Sequence, residues 1–168
     1  GTSITLFNSV MFYNGRASEI KLNKISDTQF VAVYHTLIQG IIQYVKIGVD
    51  HSFSVGFPFV FNDDITGFNN SVYVNDNVII IFYDLDDQLK VKNCRLYDDY
   101  IGIGLPQIIK NNYCYDLSIE KLDDNYCYIS YYDGENMVIY TSLLKIDNDI
   151  TIIQNEISIN NWNEGLNL

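Results

Sequence analysis

The sequence predicts an all-β protein: a β-propeller-like array of four-stranded antiparallel blades, about three of them behind one N-terminal strand. Three observations carry that expectation. Ile, Val, Thr and aromatic residues hold 67 of 168 positions while Ala holds two, a composition that excludes a helical bundle. A pattern of turn residues and apolar runs returns every 48 or 49 residues. Each copy has room for four strands joined by short turns.

The repeat has two markers. The stretch from Ile25 through Asp27 to Phe30 and Tyr34 recurs as Val74, Asp76, Ile79 and Tyr83, and again as Leu122, Asp124, Cys127 and Tyr131. Independently, Asp50 followed by Gly56-Phe57-Pro58 returns 48 residues later as Asp98 followed by Gly104-Leu105-Pro106. Both prolines of the chain therefore occupy one repeat position.

In the first copy, strands are expected at about 19–25, 29–34, 41–49 and 53–61. The first connection in successive copies is Ser26-Asp27-Thr28, Asn75-Asp76-Asn77 and Asp123-Asp124-Asn125. These residues tolerate the left-handed region or bond their own backbone, which assigns the recurring Asp to turn chemistry. The second strand of the second copy, Val78 to Tyr83, is apolar throughout, as a strand buried on both faces would be. The fourth strand carries Pro58 or Pro106, which suits an edge because proline cannot donate to a ladder. Repeat units are thus expected at about 18–65, 66–113 and 114–160, after a strand within 4–14 and before a tail at 161–168. Thirteen strands fall short of the four blades that a closed ring usually needs. A partial ring, a ring completed by oligomerisation and an open stack all remain open, and a bare terminal face favours self-association or truncation.

Composition sets further bounds. With 10 basic and 21 acidic residues the formal charge is −11, so a nucleic-acid surface would start from repulsion. No apolar run approaches the ~20 residues of a membrane helix, and no membrane span is expected. Cys94, Cys114 and Cys127 lack the spacing of a zinc site and are expected as small buried hydrophobes; no cofactor or metal is expected. The opening Gly1-Thr2-Ser3, without Met, is what a processed product, a tagged product or an excised fragment would show.

The string Gly56-Phe57-Pro58-Phe59-Val60-Phe61-Asn62, followed by an apolar pair, an Asp turn and strands of the Phe30-Val31-Ala32-Val33-Tyr34 type, resembles the propeller-like repeats of phage tail-fibre and secreted bacterial surface proteins. The resemblance spans about residues 8–159. It implies a surface-binding role in an extracellular or virion-surface setting and carries over no catalytic residue. The third copy departs from the pattern because it lacks the Gly and Pro pair.

The catalytic inventory is thin. His35 and His51 fall in loops of opposite ends, so they are not expected to act together. Asp84, Asp86 and Asp87 follow the second strand of the second copy, Asp133 and Glu135 follow that of the third, and Asp63 and Asp64 open a connection on the same side. These carboxylates would gather at one end. A glycosidase would need two of them roughly 5 to 9 Å apart, whereas calcium would need a fuller oxygen set than Asp84-Leu85-Asp86-Asp87 offers. Sugar binding would use aromatic platforms beside polar groups. The loops Tyr97-Asp98-Asp99-Tyr100 and Asn111-Asn112-Tyr113, and Trp162 in the tail, supply such groups. Asn69-Asn70-Ser71 is a formal glycosylation sequon. The expectation is a non-enzymatic module that recognises a cell-surface glycan or protein receptor, with a carboxylate glycosidase or a purely architectural fibre component as alternatives.

Overall fold

A computed structural model describes residues 9–11, 13–98, 100–147 and 150–159. Among them there is no helix. Thirteen strands follow in order: β1 (Ala17–Lys24), β2 (Gln29–Thr36), β3 (Gly40–Ile47), β4 (Phe53–Asn62), β5 (Thr66–Val74), β6 (Asn77–Asp84), β7 (Leu89–Leu96), β8 (Ile101–Ile103), β9 (Gln107–Lys110), β10 (Cys114–Lys121), β11 (Tyr126–Asp133), β12 (Val138–Ile146) and β13 (Ile150–Ile159). They form three antiparallel sheets, β1-β2-β3-β4, β5-β6-β7 with β8 and β9 both on β7, and β10-β11-β12-β13. No helix among these residues is long and apolar enough to cross a membrane.

The thirteen strands are not distributed as expected. The segment 4–14 lies partly outside the described residues, and 9–11 and 13–16 are not strand. The extra strand comes instead from the second sheet, whose fourth strand is broken into β8 and β9 around Gly104-Leu105-Pro106. At that break the Gly104 amide donates to the Asn93 carbonyl at 2.8 Å. A Cβ on Gly104 would sit 2.7 Å from the same carbonyl oxygen, so only glycine allows the approach. Pro58 lies in β4, the edge strand of the first sheet, as its missing N–H requires.

Turns fix which face each strand presents. Lys24 pairs with Phe30 and Lys121 with Cys127 around turns of the same length, and Lys24 and Lys121 each close on an aspartate, Asp27 and Asp124, at 2.7 and 2.6 Å. In the second sheet a two-residue turn, Asn75 (φ 45°) and Asp76 (φ 61°), joins Val74 to Asn77, and the arc is one residue shorter. Backbone bonds show the consequence. The carbonyls of Thr28, Asp76 and Asn125 accept from the amides of Ile47, Leu96 and Ile146, so Asp76 holds the place of Thr28 and Asn125. Asp76 is therefore not the counterpart of Asp27 and Asp124, which corrects the sequence alignment by one residue.

A one-residue slip exchanges the two faces of a strand. Val78, Ile80 and Phe82 accordingly pack on Val31, Val33 and Ile42 of the first sheet, while Ile79 and Ile81 pack on Cys127, Ile129 and Tyr131 of the third. Every side chain of β6 from Asn77 to Phe82 is buried, the two-faced burial its composition predicts. Tyr34, Phe82 and Tyr131 are the equivalent buried rings. Tyr83, expected to recur with Tyr34 and Tyr131, points the other way and meets Tyr113 edge-on at 4.9 Å. All three cysteines are free and buried among these clusters, as expected.

The first strands of the sheets lie beside one another, β5 touching both β1 and β10. Asn23 donates to Ser71 across the first junction at 2.8 Å, and Asn70 to the Leu117 carbonyl across the second at 3.0 Å. The same bulge recurs in all three, between Ser18 and Lys21, Gly67 and Asn70, and Tyr115 and Ser118. The sequon residue Asn69 lies in this inner strand with its amide oxygen and nitrogen buried, closed to a glycan. Farther out, Lys92 is 8% exposed, its amine donating to the Phe61 carbonyl of the first sheet. Burial lowers its pKa from the ordinary lysine value.

Candidate functional site

The expected carboxylates lie in or beside the β4–β5 connection and the β6–β7 and β11–β12 turns. Most of them are spent on local bonds. Asp133, fully buried at the end of β11, accepts from the side chains of Asn112 (2.6 Å) and Asn136 (2.8 Å) and from the amides of Glu135 and Asn136 (3.0 Å each), with Lys110 at 3.5 Å. Burial alone would raise its pKa, but the bonds from Asn136, Asn112 and Glu135 prevail and hold it at about 2. Four hydrogen bonds and the Lys110 amine thus fix this carboxylate in place at the turn. Glu135 is exposed and contributes its amide to Asp133.

Asp84 takes the same place at the end of β6 and accepts from the Lys90 amine and the Asp86 amide. Asp86 is exposed, 3.8 Å from the same lysine. Asp87, at φ 55°, accepts from the Tyr83 phenol, whose pKa is raised by burial and by that carboxylate. Asn111 accepts from Gln88 at 3.1 Å. Asp63 is exposed, and exposed Asp64 caps Ile65 at 2.7 Å. Trp162, Asp99 and the tail lie outside the described residues. Thr36 occupies the place of Asp84 and Asp133 in the first sheet and its hydroxyl accepts from the amides of Ile38 and Gln39. These three residues are turn caps. His35, bonded to Ser18 at 3.0 Å, and His51, in the β3–β4 turn, stand at opposite ends as expected.

A cleft opens at the other end, where the first and second sheets part. It encloses about 610 Å³, lined by Tyr44 and Lys46 of β3, Asp76 of the β5–β6 turn, Arg95 of β7, and Tyr97 and Asp98 after β7. The Tyr44 phenol donates to the Tyr97 carbonyl at 2.7 Å, tying the loop after β7 to the first sheet. Burial raises the Tyr44 pKa, and the nearby Asp98 adds to the rise. Tyr97 and Tyr100 stack with centroids 4.3 Å apart and planes 10° from parallel. The Arg95 guanidinium stands 5.8 Å from the Tyr97 ring centroid. A second hollow of about 230 Å³ adjoins through Tyr44, Lys46 and Asp98 and ends on Phe57, which is 87% exposed. A third, of about 450 Å³, adjoins through Asp76 and Arg95.

No family model, no curated protein and no solved structure matches the chain.

The sequence pointed to the carboxylate-rich end, and the cleft lies opposite it. Of the cleft residues, Tyr97 and Asp98 fall in a loop expected to supply sugar-binding groups, while Ile25 and Asp76 were expected only as markers of the repeat. The signal that could have found the rest is the cation of each third strand, Lys46, Arg95 and Lys145, which pairs with Gln29, Asn77 and Tyr126 at one ladder position. Cations sharing one position in successive sheets line up at one end of the stack.

Proposed function

We propose that this chain is a non-enzymatic recognition module, a propeller-like array whose blades are its three sheets, that binds a cell-surface glycan in the cleft between the first two. The side-by-side inner strands β1, β5 and β10 and their shared bulge support the array. The observation that carries the binding role is Tyr97, which lines a cleft with polar and charged walls and is held by stacking on Tyr100. Pyranose rings offer an apolar face to such a platform and hydroxyls to the surrounding Asp, Lys and Arg side chains. The full hydrogen bonding of Asp133 supports recognition over hydrolysis at the acidic end. By resemblance to tail-fibre and bacterial surface repeats, the module acts at a virion or cell exterior.

The test is glycan-array and whole-cell binding with the native chain and Tyr97→Ala and Tyr100→Ala variants. Binding that drops about tenfold in either variant supports the reading. Absence of binding to every glycan and cell, or binding untouched by both substitutions, overturns it.

An architectural role is the second reading. The outer face of the third sheet leaves Tyr128 and Ile139 exposed at positions whose counterparts in the second sheet are covered. Light scattering that gives a concentration-independent monomer removes it.

A further inference from the structure

We infer that the glycan taken by this cleft is acidic, its carboxylate or sulfate held between Lys46 and Arg95. This rests on the glycan-binding reading above and adds the charge class of the ligand.

The inference starts from where the chain's few cations are used. Lys24, Lys90, Lys110, Lys121 and Lys145 each pair with an aspartate within 4.0 Å, and Lys92 is buried against the Phe61 carbonyl. The other four, Arg16, Lys21, Lys46 and Arg95, have no carboxylate within that distance among the described residues, and two of them, Lys46 and Arg95, line the same cleft. The chain as a whole is strongly acidic, with a formal charge of −11. Lys145, the counterpart of Lys46 and Arg95 in the third sheet, does pair with a carboxylate, Asp147 at 2.6 Å.

The cleft walls favour a sugar acid over a bare anion. Asp76 already accepts from the Tyr73 phenol at 3.1 Å. Asp98 also lines the cleft, and an aspartate can accept hydroxyl protons from a sugar while Lys46 and Arg95 hold its charge. Arg95 offers a planar fork suited to two oxygens of one carboxylate or sulfate, and its place near the Tyr97 ring puts the charge beside the stacking platform.

The experiment is an array holding uronate-, sialate- and sulfate-bearing glycans, each beside its uncharged counterpart. It is probed with the native chain, Arg95→Gln, Lys46→Gln and, as a control of equal charge change, Lys21→Gln at an exposed position of β1. Circular dichroism confirms that each variant is folded. The expected result is at least tenfold preference for one or more acidic glycans over the uncharged counterpart. Arg95→Gln and Lys46→Gln should each weaken that binding about tenfold, and Lys21→Gln should leave it within about twofold. Equal binding of acidic and uncharged partners that still depends on Tyr97 overturns the acidic assignment and leaves the glycan reading standing. Acidic preference lost equally in Lys21→Gln overturns the assignment to the cleft, and absence of binding to every glycan overturns both.

Discussion

Phe61 of the first sheet and Phe82 of the second meet edge to face, ring centroids 5.5 Å apart and planes at 66°. Both rings are buried, and their contact settles which side of β6 belongs to the first sheet. The aromatic pair Phe82-Tyr83 is divided by it, one ring into a core and the other toward Tyr113 and the acidic end.

Truncating these neighbours should therefore give unequal losses. Phe82→Ala is expected to cost about 3–5 kcal/mol in urea unfolding, the range for a buried ring, and Tyr83→Ala less than about 1.5 kcal/mol. The reverse order would overturn the assignment of faces in β6.

The turn between β5 and β6 makes a sharper demand on backbone than on side chain. Asn75→Val places a β-branched residue at φ 45° and should destabilise by roughly 1–2 kcal/mol, while Asn75→Gly should be close to neutral. Equal losses in the two variants, measured by chemical denaturation, would mean that the Asn75 side chain matters more than its conformation.

Asp133 should make the fold acid-sensitive. Its folded pKa of about 2 lies below the ordinary carboxylate value, so its contribution is complete above about pH 4 and disappears as pH falls toward 2. The difference of nearly two pKa units corresponds to about 2 kcal/mol. Asp133→Asn is expected to be less stable than the native chain by about that amount at pH 7 and nearly equal to it at pH 2. Parallel stability curves for the two proteins would reject the assignment.

At alkaline pH the buried thiols act in the opposite direction. Burial pushes Cys94 and Cys127 up to about 12, above their unfolded value near 9. Below pH 9 both states hold the protons. Between 9 and 12 the unfolded chain releases them first, so stability falls as pH rises. Iodoacetamide should leave both thiols unmodified at pH 8 and label them together as the protein unfolds at higher pH; rapid labelling at pH 8 would contradict their burial.

How much was legible beforehand depends on the kind of signal. The strand class, the period and the short turns followed from Ile and Val runs punctuated by Asp and Asn, because side-chain alternation and turn stereochemistry are local. The burial of β6 was visible for the same reason. The slip at Asn75-Asp76 was not, since Asp76 and Asp124 look alike in sequence while ladder pairing decides their equivalence. Tyr83 was misplaced with it. The carboxylates were expected from loop order alone, and sequence does not show that Asn112, Asn136 and two amides bond Asp133. The cleft depends on where two sheets part and on cations 49 residues apart in β3 and β7, which no local motif joins.

The short Asn75-Asp76 arc is offset by a longer turn on the other flank of β6. Measured from the first sheet, β5 and β7 are each displaced by 49 residues but β6 by 48, since the turn before β6 is one residue shorter and the turn after it one residue longer. Paired turns of unequal length thus let the middle strand keep its cross-strand partners on both sides while its numbering slides by one.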